Sequence, residues 1–128
     1  MFIGAPKEIK ADEFRVGLVP STVADLVARG HAVAIETRAG EGAGIGDDEY
    51  AAAGAVIVPT ADEIFRRAEL IVKVKEPLAS ERRKLRGGQI IFTYLHLAPD
   101  TEQTHDLMAS GVTAIAYETV TDAYWSPN

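Results

Sequence analysis

The chain has 128 residues, 47% of them hydrophobic and 25% charged, and a net charge of -6. That is one domain's length, apolar enough to bury about two-thirds of its unfolded surface and to exclude bulk disorder; its acidity, with no basic run and no aromatic stacking surface, argues against nucleic acid as partner. No stretch is suited to span a membrane and MFIGAPKEIK lacks the basic-then-apolar order of a secretory signal, while the absence of cysteine excludes disulfides, thiolate metal sites and a Cys nucleophile, so a cytoplasmic domain without a metal is expected.

Short β-branched runs alternate with helical patterns. FIGAP, HAVAIET, AVIV, ELIVKVK, QIIFTYL and TAIAYET read as strands, which is the rhythm of an α/β domain with a mostly parallel sheet and helices on both faces. Ser21 is positioned to cap a first helix that buries Val23, Leu26 and Val27 and stops at Gly30; Asp47 is positioned to cap a second that stops at Gly54. Thr60 with Glu63, and Asp100 with Gln103, have capping-box spacing or a close version of it, and Gly111 closes the last helix. Residues 79–88 predict a short surface helix ended by Gly87 and Gly88. The final TDAYWSPN reads as neither strand nor helix and leaves Trp125 exposed, so residues 1–120 are taken as the domain and 121–128 as a tail.

In open α/β sheets, ligands bind beyond the carboxyl ends of the strands, where residues distant in sequence converge. Three basic side chains are expected there: Arg15 in the charged loop after the first strand, Lys75 at the end of ELIVKVK and His96 at the end of QIIFTYLH. An arginine clamps a carboxylate with two parallel hydrogen bonds, a lysine at a strand end suits a carboxylate or carbonyl oxygen, and an imidazole beside two cations stays a base near neutrality. The bland readings are a solvated arginine, a hydrogen-bonded structural histidine and, for Lys73, a lysine that guards an edge strand. Tyr94, Glu118 and Lys7 also lie near strand ends and suit a supporting role, Glu118 with the option of neutralising one cation. His31 and His105 read as surface residues. Gly40, Gly42, Gly44 and Gly46 follow a strand and precede a helix, as a phosphate loop would, but match neither the dinucleotide fingerprint nor the Walker pattern, so tight turns and close backbone approach are the expectation.

GAPKEIKADEFRVGLVP, AGEGAGIGDDEYAAAGA, VKVKEPL, FTYLHLAPD and GVTAIAYETV resemble, in the same order, blocks of the alanine dehydrogenases and of the related α subunit of nicotinamide nucleotide transhydrogenase. VKVKEPL and TYLHLA favour the dehydrogenase. The resemblance implies NAD-linked interconversion of L-alanine with pyruvate and ammonium, with Arg15 on the substrate carboxylate, Lys75 on the carbonyl or imine, and His96 as general acid/base. Family analogy also tilts the expected strand order towards a flavodoxin-like one. Full family chains continue into a Rossmann domain, so this chain is expected to be the first lobe of the substrate domain: no NAD bound in the family's manner, no hydride transfer alone, and an apolar face that favours homo-oligomers. The alternatives are a stand-alone or engineered α/β module that binds a small carboxylate or nothing, and the matching lobe of a transhydrogenase.

Overall fold

The strands that the β-branched runs predict are β1 (Phe2–Ala5), β2 (Ala32–Glu36), β3 (Val56–Val58), β4 (Leu70–Val72), β5 (Ile90–Thr93) and β6 (Thr113–Ala116). The structure, a computed structural model, describes residues 1–94 and 101–116. Between the strands run α1 (Pro20–Ala28), α2 (Asp47–Ala52), α3 (Ala61–Arg67), α4 (Ala79–Arg82) and α5 (Thr101–Ser110), with a 3-10 turn at Glu41–Ala43. Every strand pair among the described residues is parallel, in the order β3-β2-β1-β4-β5-β6.

That order explains which helix covers which face. A crossover between parallel strands is right-handed, so the side on which its helix lies depends on the direction of travel across the sheet. From β1 the chain moves outward to β2 and then β3, so α1 and α2 share a face: Val23 and Tyr50 pack there with Ile3, Ala5, Val33 and Ile35. It then returns across β1 to β4 and continues to β5 and β6, which puts α3 and the later helices on the opposite face. Phe65, Ala68 and Leu107 pack there with Ile71 and Ile91. Strand alternation does the sorting, since Ala34 turns to Ile64 of α3 while its neighbours Val33 and Ile35 turn to α1 and α2.

The α/β class with helices on both faces is the expected one. The flavodoxin-like order is not: flavodoxins run 2-1-3-4-5, with their third strand crossing to the far side of the first. Here Val56–Val58 pairs outside β2 through Ala34, Ile35 and Glu36, and the return crossing is made by β4 instead. Two caps also differ from expectation. Pro20 occupies the first turn of α1, Val19 is its N-cap, and Ser21 makes no capping bond. Gly46, not Asp47, precedes α2, and the Glu49 carboxylate accepts from the Gly46 N–H at 2.9 Å. Thr60 does cap α3, accepting from the Glu63 N–H, and Gly111 follows α5 at φ +77°. The Asp100 cap and the tail lie outside the described residues.

Candidate functional site

The strand order reverses between β1 and β4, the place in an open α/β sheet where the carboxyl ends of the strands border a binding crevice. One side chain ties the two ends together. Glu8, three residues beyond β1 and 2% exposed at its side chain, accepts from Lys73 Nζ at 3.2 Å. It also accepts from the Val74 N–H at 3.1 Å and the Lys75 N–H at 3.0 Å. The Lys73 ammonium, 1% exposed, bonds Glu81 Oε2 of α4 at 3.0 Å as well. A buried ammonium is tolerable only when paired and hydrogen-bonded, and two carboxylates meet that need. The edge-guard reading of Lys73 is therefore wrong: β4 lies between β1 and β5, and Lys73 continues the pairing by donating its N–H to the Phe92 carbonyl at 3.0 Å.

The same contacts present Lys75. Glu8 holds its N–H, and the Thr93 hydroxyl at the end of β5 donates to its carbonyl at 2.7 Å. Its backbone is thus fixed from both sides while the side chain remains partly exposed.

Arg15 arrives on the loop that crosses above β4. Gly17 makes that crossing possible, because a Cβ there would lie 2.4 Å from the Val72 carbonyl oxygen. Arg15 is clamped by Glu13: Nε donates at 3.0 Å, Nη2 at 2.8 Å and the backbone N–H at 2.8 Å. The Arg15 side chain is 69% exposed, whereas that of Glu13 is 4% exposed. The guanidinium, followed by the Arg15 backbone N–H and the more distant Lys75 ammonium, outweighs desolvation and lowers the Glu13 carboxyl to about 2. Glu13 reciprocally raises the Arg15 pKa. Arg15 supplies nearly all of that stabilisation, and Lys75, 60 residues on by its number, adds the smallest pull.

Beside Arg15 opens a cleft of about 360 Å³, lined by Lys7, Glu8, Glu13, Phe14, Glu41 and Gly42 among others. Its far wall is the glycine segment, which is tightened onto itself. The N–H groups of Glu41, Ala43, Gly44 and Ile45 donate to the carbonyls of Arg38, Gly40, Glu41 and Gly40, and that of Gly46 to Glu49. Gly42 lets the segment close on Phe14, where a Cβ would meet the Phe14 Cα at 3.0 Å. With those five N–H groups turned inward, the segment lacks the run of outward donors that cradles a pyrophosphate, so it fits a dinucleotide poorly. Asp47 fastens the segment to the end of β2, accepting from the Thr37 hydroxyl at 2.6 Å and the Arg38 N–H at 2.9 Å, which lowers its pKa. Burial pushes Glu36 up, partly offset by the Lys7 N–H that donates to it at 2.8 Å.

Of the residues singled out from the sequence, Arg15 and Lys7 line this cleft, and Lys75 is joined to it through Glu8, which accepts from the Lys75 N–H. Tyr94 follows β5, its N–H donating to the Val74 carbonyl at 3.2 Å. His96 and Glu118 lie outside the described residues. Glu8, Glu13 and Glu81 were missed. The signal was available in Lys73 itself, because a lysine inside an apolar run of a central strand requires buried carboxylates somewhere else in the chain. Among the described residues no group of three or more His, Asp and Glu side chains is positioned for a metal ion, and no helix is long and apolar enough to cross a membrane.

Residues 4–125 match the family described as alanine dehydrogenase/PNT, N-terminal domain. The chain belongs to that family. It is 53% identical over 123 residues to an alanine dehydrogenase of Mycolicibacterium smegmatis, covering 96% of this chain and 33% of that protein. An alanine dehydrogenase of Methanococcus maripaludis is 55% identical over 120 residues, 94% of this chain and 32% of the relative. Among solved structures, an L-alanine dehydrogenase superposes with a TM-score of 0.94 at 56% identity, over 98% of this chain and 35% of that one. A transhydrogenase from Sinorhizobium meliloti gives 0.87 at 30% identity, over 92% and 34%. This alanine dehydrogenase/PNT N-terminal domain therefore spans about a third of the length of the curated relatives it matches.

Proposed function

We propose that this chain is the substrate-binding lobe of an NAD-dependent, cytoplasmic L-alanine dehydrogenase, which converts L-alanine, NAD and water to pyruvate, ammonium, NADH and a proton. The observation that carries the reading is the exposed Arg15 guanidinium, held in place by the buried Glu13 carboxylate beside the cleft, with Glu8 of the same cleft accepting from the Lys75 N–H. A guanidinium with a free edge beside a cleft of about 360 Å³ is equipment for the carboxylate of a small 2-oxo or 2-amino acid. The higher identity to the alanine dehydrogenases than to the transhydrogenase favours amino-acid chemistry over transhydrogenation.

In this reading the Arg15 guanidinium orients the substrate carboxylate, and the Lys75 ammonium polarises the carbonyl or imine, its backbone held by Glu8 and Thr93. His96, with Tyr94 and Glu118 in support, takes a proton as alanine becomes the imine and returns it in reductive amination. Hydride acceptance falls to NAD, for which the described residues supply no cradle and which belongs to the remainder of the full-length enzyme. Titrating the chain with pyruvate in heteronuclear NMR tests the lobe directly. Amide resonances of Arg15, Gly17 and Lys75 are expected to move together with an affinity of about millimolar. Movement confined to other surfaces would remove the assignment.

A further inference from the structure

We propose that Glu13 restricts this site to monocarboxylates, by leaving its cations with capacity for a single incoming carboxylate. The inference rests on the substrate-binding reading above. A guanidinium has five N–H donors in a fixed plane. Glu13 takes Nε and one proton of Nη2, which leaves the Nη1 pair and the second Nη2 proton for one carboxylate approaching end-on. Glu13 is not a latch that swings aside, because its side chain is 4% exposed and the Arg15 backbone N–H holds it as well, at 2.8 Å.

The charge count points the same way. The cleft is lined by the cations Lys7 and Arg15 and by the carboxylates Glu8, Glu13 and Glu41, with Glu13 bonded directly to the guanidinium. Two cations against three carboxylates leave no surplus positive charge for a second anionic group, so one carboxylate at the free edge of Arg15 is what the cleft accommodates. A second carboxylate on the ligand would face Glu13 or Glu41, which lines the same cleft. Like charges set against each other in a confined site reject the wrong ligand without any contact devoted to the right one. Glu41 lies on the far wall and off Arg15, so Glu13 is the group that sets the balance at the guanidinium.

The test compares pyruvate, 2-oxoglutarate and the 5-methyl ester of 2-oxoglutarate, which keeps the length and removes the distal charge. In the unsubstituted chain, the ester is expected to bind more tightly than the diacid, read from the amide shifts of Arg15 and Lys75. In Glu13→Gln, whose amide oxygen still accepts from Arg15, the ratio of diacid to ester affinity rises by about tenfold. Glu13→Asp, which restores the charge, returns the ratio to the parent value. A diacid that binds as well as the ester in the parent chain overturns the inference whether or not the variants fold. So does a ratio that Glu13→Gln leaves unchanged while pyruvate still binds. Loss of pyruvate binding in the parent chain itself would remove the substrate-binding function first, and the selectivity with it.

Discussion

Lys73 illustrates how a single side chain organises this site without facing the cleft. Its ammonium lies between Glu8 and Glu81, and Glu8 uses its remaining capacity on the backbone of residues 74 and 75, so the charge that neutralises the core also fixes the strand end that presents Lys75. Lys73→Met leaves two buried carboxylates without their cation. The expected cost is about 3–5 kcal/mol in urea unfolding followed by circular dichroism, a large share of the stability of a small domain. By contrast, cutting the half-exposed Arg67 and Glu63 pair, at 3.6 Å, should cost less than about 1 kcal/mol. At this scale the sequence was informative about cations and silent about anions. Arg15 and Lys75 stood out in the sequence because a basic residue in the loop after a strand or at a strand end is conspicuous in an acidic chain. Glu8 and Glu13 did not, because each sits in a charged stretch where a solvated glutamate is the ordinary outcome; only the third dimension brings Lys73 to Glu8, and only packing of the loop buries Glu13 against Arg15.

At the level of elements, most strands and helices follow from β-branched runs and glycine stops, and the misassigned caps share a cause. Ser21 has the right chemistry two positions too late, and Asp47 one position too late. Proline at the first turn of α1 and the Glu49 carboxylate on the Gly46 N–H had already settled where those helices begin, which released Asp47 to tie the glycine segment to Thr37 and Arg38. The loop carrying Arg15 shows the same priority of packing over local signal. It reads as a charged surface turn, yet it lies against the end of β4 closely enough that only glycine fits at position 17. Gly17→Ala must lift that loop from the Val72 carbonyl, so a destabilisation of about 1–3 kcal/mol is expected, by chemical denaturation. Because the lift moves Arg15 relative to Lys75, pyruvate affinity should fall further than the same loss of stability produces when it is introduced far from the crevice. Equal losses would mean that the crossing serves stability alone.

The molecule as a whole is two half-sheets joined at the place where the site forms. On one face α1 and α2 cover β1 and β2; on the other α3 spans the join, with Ile64 packed against Ala34 and Val58, and Phe65 against Ile71 and Ile91. The strand order escaped the sequence reading because a three-residue strand such as Val56–Val58 carries no signal for which neighbour it will choose. The consequence of the order is that one helix couples the halves. Phe65, 1% exposed, is the side chain of α3 with most to lose. Phe65→Ala should cost about 3–5 kcal/mol, the range for emptying a buried aromatic position. If α3 is the coupling element, the variant should still unfold in one transition at a lower midpoint, with amide exchange accelerated in β1, β4 and β5 alike. Acceleration limited to β4 and β5, with β1 and β2 still protected, would mean that the halves hold independently and that the crevice between them is free to open.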